Sequence, residues 1–385
     1  MEPIRVLQVV GRMDRGGIET MIMNLYRHMD RDRVQFDFLA HYGREAAYNA
    51  EIRAMGGRIY EMPALKDETR VYYERLPAYL RALDQFFAEH REYRVVHGHM
   101  TNTAALYMKA ARRHGVPCRI AHSHNTHGKG GLQGAVTALL HSGIPRCATH
   151  FFACSEAAKH WFYPPELIAS GRVRVVANAI DTARFRFAPD KRRAARQALG
   201  IADELVVICV ARFRPEKNQS FLLDVLRAMR AQGCDATLVF VGDGPCEAAV
   251  RERAGALGLA AHTRFLGARS DVPELLCAAD AFALPSRWEG LPLTVIEAQA
   301  SGLHGVVSEG LPREMDVQGM VRYLPLDAPA ARWAETLIEA AHQPRLDASE
   351  AIRAAGYDIR TTAPWLQAFY LERHFEGLKH GSGMA

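Results

Sequence analysis

Four charged side chains stand where a polyanionic, hydroxyl-rich ligand would need them. Arg212 and Lys217 lie in Ala-Arg-Phe-Arg-Pro-Glu-Lys-Asn, after the apolar run Leu205–Val210 and before a helical segment. Cations gathered at the mouth of a strand and at a positive helix terminus repel one another unless an anion joins them, and a diphosphate is such an anion. Glu289 and Glu297, with seven residues between them, follow the apolar run Ala281–Leu284, the first in a loop and the second on the helix after it. A carboxylate accepts two directed hydrogen bonds, so a pair aimed at one pocket suits a ligand rich in hydroxyls. Plainer readings stay open: a solvated basic loop for the cations, a helix-dipole partner for a glutamate.

Gly16 and Gly17 end the segment that follows the first apolar run and precede a helical stretch. Such a pair lets a backbone approach a ligand closely and turns free N–H groups toward an anion. The G-x-G-x-x-G spacing is absent here, and Gly242-Asp-Gly244-Pro245 lacks its third glycine, which argues against a dehydrogenase. His97 and His99 end one apolar run, and His122, His124 and His127 end the next. Sugar or phosphate contact, bland structural histidines and a metal site are the three readings. Against metal, the stretch from Tyr93 to Ser155 contains no Asp or Glu, and the spacings match no standard zinc pattern.

The elements that must carry these residues follow from length and periodicity. A chain of 385 residues is large enough for two domains, and 49% hydrophobic with 24% charged residues is ordinary for a soluble globular protein. No window approaches 18 uninterrupted apolar residues, and the start never builds a signal-peptide core, so a cytoplasmic protein without a membrane span is expected. The 7 cysteines, without a C-x-x-C pair, fit reduced thiols. The balance of 48 basic against 43 acidic residues is too mild to argue for nucleic acid, and none is expected as a partner.

Short apolar runs alternate with helix-period segments, the pattern of parallel sheets wrapped by crossover helices. Strands are predicted at Arg5–Val10, Gln35–Leu39, Arg58–Glu61, Val95–His97, Arg119–His122, His150–Cys154 and Val173–Val176. A second series follows at Leu205–Val210, Thr237–Val241, Thr263–Leu266, Ala281–Leu284 and Gly305–Ser308. The polar, Pro-containing stretch Asp181–Arg193 reads as the linker, giving domains 1–185 and 186–363 and a last helix at about 364–378 that packs back on the first domain. In open parallel sheets ligands bind beyond the carboxyl ends of the strands, where the residues above fall.

Taken in order, RVLQVVGRMDRGGIETMIMNLYRHMDRDRVQFDFLA, RIAHSHNT, VARFRPEKNQSFLLDV, VFVGDGP and PSRWEGLPLTVIEAQASGL resemble the retaining glycosyltransferases of family 4. The resemblance runs from Arg5 to about Tyr370 and is strongest to the exopolysaccharide and capsule glycosyltransferases of the EpsF type. It implies an α/β protein of the GT-B fold, with two facing Rossmann-like, doubly wound domains and an interdomain cleft, acceptor on the first and donor on the second. Arg212, Lys217, Glu289 and His124 are the implied catalytic residues. The implied donor contacts are Gly16 and Gly17 at the diphosphate, Arg212 and Lys217 neutralising it, and Glu297 at the ribose. Phe265 and Leu266 belong to the segment that recognises the base, and Glu289 with the backbone of Gly290 and Leu291 meets the sugar hydroxyls. His122 and Asn178 are further sugar contacts. One departure stands out: the family's P-N-G-[IV]-D reads Ala177-Asn178-Ala179-Ile180-Asp181, and a Cβ at 179 restricts a turn that glycine would permit.

The implied activity is transfer of a hexosyl or N-acetylhexosaminyl group, with retention, from a nucleotide-diphosphate sugar to a glycan or polyprenyl-diphosphate-linked saccharide. A UDP-sugar is the expected donor. No metal and no cofactor are expected, since fixed cations replace the metal and no D-x-D clip stands at a strand end. The 7 Lys or Arg residues between Tyr93 and Ser155, with Leu132, Val136, Leu139 and Leu140, suggest peripheral contact with an anionic membrane. A UDP-sugar 2-epimerase or another enzyme of the same fold, and a non-catalytic subunit that binds nucleotide sugars, are the competing readings. The E-x7-E motif with EGLP favours transfer.

Overall fold

The computed structural model describes residues 2–41, 45–63, 72–124 and 141–381. They form two compact units, Met1–Ala179 with Ile359–Ala385, and Ile180–Asp358. The first unit is built on a seven-stranded parallel sheet of β1 (Ile4–Val10), β2 (Val34–Ala40), β3 (Ile59–Glu61), β4 (Val95–Gly98), β5 (Cys118–Ser123), β6 (His150–Ala153) and β7 (Val173–Val175). Its order is β3-β2-β1-β4-β5-β6-β7, with Val6 opposite Phe36 on one side and Val95 on the other. Both faces are buried: Leu7, Val9, Val96 and Ala121 fall in one core cluster, Val6, Phe36, Val95 and Ile120 in the other. Strands covered on both faces must be apolar at nearly every position, which is why these runs stand out in the sequence. The helix Ile359–Gly381 adds Ile359, Ala363, Leu366 and Tyr370 to the second cluster, and the Tyr370 ring meets Phe36 edge-on at 5.9 Å.

The second unit carries a six-stranded sheet of β8 (Leu205–Val210), β9 (Ala236–Val241), β10 (Thr263–Phe265), β11 (Ala281–Leu284), β12 (Gly305–Ser308) and β13 (Val321–Leu324), in the order β10-β9-β8-β11-β12-β13. β13 is absent from the sequence reading for a physical reason. Among the described residues it pairs only with β12, and Val321 is the one buried residue in it, so no continuous apolar run marks it.

The stretch expected as a linker is helical and belongs to the second unit, and the boundary falls between Ala179 and Ile180 rather than after residue 185. Asp181 caps the short helix Thr182–Phe185 by accepting from the N–H groups of Ala183 and Arg184. The helix Pro189–Leu199 starts on proline and ends on Gly200 at φ 63°. Arg192 and Arg196 reach Asp280 at 2.6 and 3.3 Å. A run of arginines that reads as solvated is therefore a docking face.

The basic run between Tyr93 and Ser155 is also less free than its sequence suggests. Arg113 and His114 pair with Asp84 at 2.8 and 2.9 Å, and Arg119 donates to the carbonyls of Cys147 and Val116. His127, Lys129, Leu132, Val136, Leu139 and Leu140 lie outside the described residues. Among the described residues no helix is long and apolar enough to cross a membrane.

Candidate functional site

In the second sheet the strand order reverses between β8 and β11, and the loops after these two strands hold the expected cation and carboxylate. After β8 the chain makes a single 3-10 turn, Pro215–Lys217, and then passes through Asn218 in the left-handed region at φ 53°, where asparagine is tolerated. That turn sends Lys217 across to the β11 loop, where its Nζ donates to Glu289 Oε1 at 2.5 Å. Ser286 Oγ donates to the same oxygen at 2.7 Å, and the N–H of Arg287 donates to the Glu216 carbonyl at 2.7 Å. The argument that Arg212 and Lys217 require an anionic ligand is thus corrected in part. Glu289 supplies an anion to Lys217 from within the chain, 72 residues away in sequence.

Arg212 sits in the same β8 loop, half-exposed, with its carbonyl accepting from Gln219 Nε2 at 2.8 Å. What holds this loop was not singled out from the sequence as functional. Gly242 and Gly244 adopt φ +136° and +146°, and a Cβ at either would stand 2.1 Å from the Ala211 carbonyl oxygen or 2.4 Å from that of Phe213. Backbone bonds join the segments, Ala211 N–H to the Val241 carbonyl and Phe213 N–H to the Asp243 carbonyl. The signal is the pair of glycines in Gly-Asp-Gly-Pro, which fails the dinucleotide spacing and enters the family resemblance without a role of its own. Gly242→Ala should destabilise the fold by at least about 2 kcal/mol through strain and backbone collision. A denaturant midpoint equal to wild type would contradict this packing.

Glu297 is on the helix Leu293–Ala300, which Gly290 and Leu291 precede. Burial pushes its carboxyl up to about 7, with the positive charge of Arg184 pulling the other way. Phe265 is half-buried, with its ring against two other aromatics. It stacks on Phe213 at a centroid distance of 6.0 Å and meets Phe240 tilted at 5.1 Å, and the Arg251 guanidinium lies over it at 4.3 Å. Leu266 donates its N–H to the Phe240 carbonyl. The Phe265 ring therefore serves packing first.

In the first unit the order reverses between β1 and β4. Gly16 is the extended N-cap, at φ −120°, of the helix Gly17–Arg27, and no side chain caps that end. A Cβ on Gly17 would meet nothing within 4 Å, so no contact among the described residues demands glycine there. At the ends of β4 and β5, His97, His99, His122 and His124 are all buried and meet as one group. His97 Nδ1 lies 2.6 Å from the Tyr370 hydroxyl and its Nε2 3.0 Å from His122 Nδ1. His99 bridges His124 and Gln8, both at 2.9 Å. Burial holds His97, His99 and His122 well below the ordinary range and His124 at about 3, so all four are neutral at pH 7. Neither Gln8 nor Tyr370 was expected from the sequence.

His97, His99 and His122 bring one ring nitrogen each within 4.8 Å of one another, a spacing that could hold a metal ion. Both nitrogens of His97 and of His99 already have hydrogen-bond partners, so metal binding would have to break that net. Asn178 is buried beside His124 and acts to raise its pKa. Ala179 is buried and outside the positive-φ region, so its Cβ is accommodated without strain.

Comparison with known proteins adds the family to this geometry. HepE of Anabaena, solved with UDP and glucose, superposes with a TM-score of 0.76 over 95% of this chain and 99% of its own, at 20% identity, which is a likeness of fold: the two doubly wound units are those of the GT-B fold. The model of group 1 glycosyl transferases matches residues 191–355, and that of a glycosyl transferase 4-like domain matches residues 16–179. EpsF of Bacillus subtilis (strain 168), which carries a glycosyltransferase name, is 37% identical over 370 residues, 92% of this chain and 93% of that protein. The chain belongs to glycosyltransferase family 4. A UDP-Gal:alpha-D-GlcNAc-diphosphoundecaprenol alpha-1,3-galactosyltransferase of Escherichia coli is 30% identical over 227 residues, 56% of this chain and 58% of its own.

Proposed function

We propose that this glycosyltransferase moves a hexosyl or N-acetylhexosaminyl group from a UDP-sugar, with retention, to a saccharide carried on a polyprenyl diphosphate at the cytoplasmic leaflet, as in exopolysaccharide or capsule synthesis. The observation that carries the reading is the Lys217–Glu289 pair at the β8/β11 switch point, a cation for phosphate beside a carboxylate for sugar hydroxyls. Arg212 and Lys217 take the diphosphate, Glu289 with the backbone of Gly290 and Leu291 takes the sugar, and Glu297 takes the ribose. The main chain at Phe265 and Leu266 meets the base. From the first unit, Gly16 and Gly17 approach the diphosphate, and His124, His122 and Asn178 face the sugar.

In the reaction the bond from the anomeric carbon to the diphosphate breaks and the acceptor oxygen bonds to that carbon on the same face. The acceptor's proton passes to the departing phosphate oxygen. Negative charge grows on the phosphate as it leaves, and fixed cations already in place stabilise it without reorganising. The relatives' names support the substrates: HepE was solved with UDP and glucose, and the E. coli relative is named for a UDP-sugar and a diphosphoundecaprenol acceptor. Membrane contact would rest on the basic face left after Arg113 and Arg119 are engaged internally, and so would be weak.

A thermal-shift panel of UDP-glucose, UDP-galactose, UDP-N-acetylglucosamine and GDP-mannose tests the donor. A ligand at 100 times its Kd stabilises the protein by about 2.7 kcal/mol. A rise in Tm with a UDP-sugar is expected, and a rise with GDP-mannose alone would overturn the base assignment. Transfer should also persist in EDTA, because Arg212 and Lys217 do the neutralising. Loss in EDTA with rescue by magnesium or manganese would instead give the histidine group a metal.

A further inference from the structure

Two donors of different kinds hold the Glu289 carboxylate, and both reach the same oxygen. Lys217 Nζ donates to Glu289 Oε1 at 2.5 Å, and Ser286 Oγ donates to it at 2.7 Å. A carboxylate only accepts, so the Ser286 hydroxyl hydrogen is the one in this bond. The two donors differ in how far they can move. An ammonium ends a flexible four-carbon stem, whereas Ser286 carries its hydroxyl next to a fully buried main chain. That main chain is fixed from two sides. The Ser286 carbonyl accepts from the hydroxyl of Ser308, the last residue of β12 and itself buried. The N–H of Arg287, the next residue, donates to the Glu216 carbonyl at 2.7 Å. Ser286 is therefore a stationary donor and Lys217 a movable one.

A diphosphate arriving at this site changes the balance between the two bonds. It carries more negative charge than a single carboxylate, so it draws Lys217 toward itself and repels Glu289. The lysine loosens its hold on the carboxylate at the moment when the carboxylate is pushed from its place. A neutral hydroxyl feels little of either force, and its bond to a charged acceptor is a strong one.

We propose that Ser286 is a positioning residue: held by Ser308, it keeps Glu289 aimed at the sugar hydroxyls while Lys217 turns to the diphosphate. This rests on the reading of Lys217 as a phosphate contact and of Glu289 as a sugar contact, and it adds the group that lets both act in one complex. In the free protein the serine and the lysine duplicate each other. In the donor complex the serine's share of the work grows, so its loss is felt where the sugar is bound and little where UDP alone is bound.

The test compares UDP, which has the diphosphate without the sugar, with the UDP-sugar that raises Tm most in the panel above. In Ser286→Ala, kcat/KM for that UDP-sugar should fall about tenfold or more, as expected for one lost hydrogen bond to a charged group, while the affinity for UDP stays within about twofold of wild type. Equal losses for UDP and UDP-sugar would make Ser286 a general support of the site and overturn the proposal. Ser286→Cys fills the same space with a weak donor and should show the same split, so full activity in it would leave only packing and also overturn the proposal. Should Ser286→Ala not fold, Ser286→Cys decides. The effect must pass through Glu289, so adding Ser286→Ala to Glu289→Ala should lower kcat/KM no further, and an independent loss in the double variant overturns the proposal. Unchanged kcat/KM in Ser286→Ala beside an impaired Glu289→Ala overturns this proposal alone and leaves the sugar-contact reading standing. A Glu289→Ala protein that transfers as well as wild type removes that reading, and the role of Ser286 with it.

Discussion

Lys217→Ala is expected to lower kcat/KM for the nucleotide sugar by about a hundredfold or more, the range seen when one preorganised donor to a developing charge is lost. The structure gives the reason for so large an effect. The Lys217 side chain is only 20% exposed and that of Glu289 10% exposed, so the charges act through a poorly screened medium. The pair also holds the lysine in place before any donor arrives, so little ordering remains to be done when the diphosphate binds. The substitution removes two things at once: the cation facing the phosphate, and the partner that keeps the Glu289 carboxylate aimed. Ser286 then remains as a hydrogen-bond donor to it. Removing one member of a buried pair costs stability too, so the unfolding midpoint must be measured beside the rate. Lys217→Arg separates the effects: charge is kept, the fold should be retained, and activity should recover only in part because a planar fork does not reproduce a point charge. Wild-type transfer by a folded Lys217→Ala protein would remove Lys217 from the phosphate site.

The parts of this molecule that were legible in the sequence are those whose cause is local. β8, β11 and β12 are marked to the residue by Leu205–Val210, Ala281–Leu284 and Gly305–Ser308, because a strand buried on both faces leaves an unbroken apolar run. The helix Gln219–Ala231 is marked equally well by its apolar spacing. What was not legible depends on distant partners. β13 is an edge strand whose identity comes from β12, and the helix Pro189–Leu199 is fixed by Asp280, far along the chain. The site divides the same way. The residue types at 212, 217, 289 and 297 announce anion and hydroxyl chemistry, while the fact that Lys217 meets Glu289 needs the β8/β11 neighbourhood. The histidines show in the sequence as a close pair and a close trio. Their neutrality, and the placing of Gln8 and Tyr370 against them, come only from the assembled sheet and the last helix.

Glu297→Gln should make the free protein more stable at pH 8 and a poorer enzyme there. The carboxyl of Glu297 is raised from 4.5 to about 7, chiefly by burial. The unfolded chain loses this proton near 4.5 and the folded chain holds it until near 7, so between those values the folded state binds more protons. Stability therefore falls as pH rises through that window, and above it the full penalty, about 3 kcal/mol at one pKa unit per 1.36 kcal/mol, is present. Glutamine carries no charge and escapes it. The variant and wild type should unfold together at pH 4 and separate progressively up to pH 8, the variant being the more resistant to denaturant. A penalty of this kind persists in an enzyme where the charge has work to do, and the ribose hydroxyls are the groups proposed to receive it. An ionised carboxylate accepts from two hydroxyls at once, whereas a neutral amide accepts through one oxygen and turns an N–H toward the other. Donor affinity in wild type should fall as pH drops through 7, and the variant should bind the donor weakly at pH 8 with no such dependence of its own. A variant that unfolds more easily than wild type at pH 8 would show that the carboxylate is stabilised by its surroundings and not strained by them. A variant with wild-type affinity for UDP-sugar across the range would take Glu297 away from the ribose.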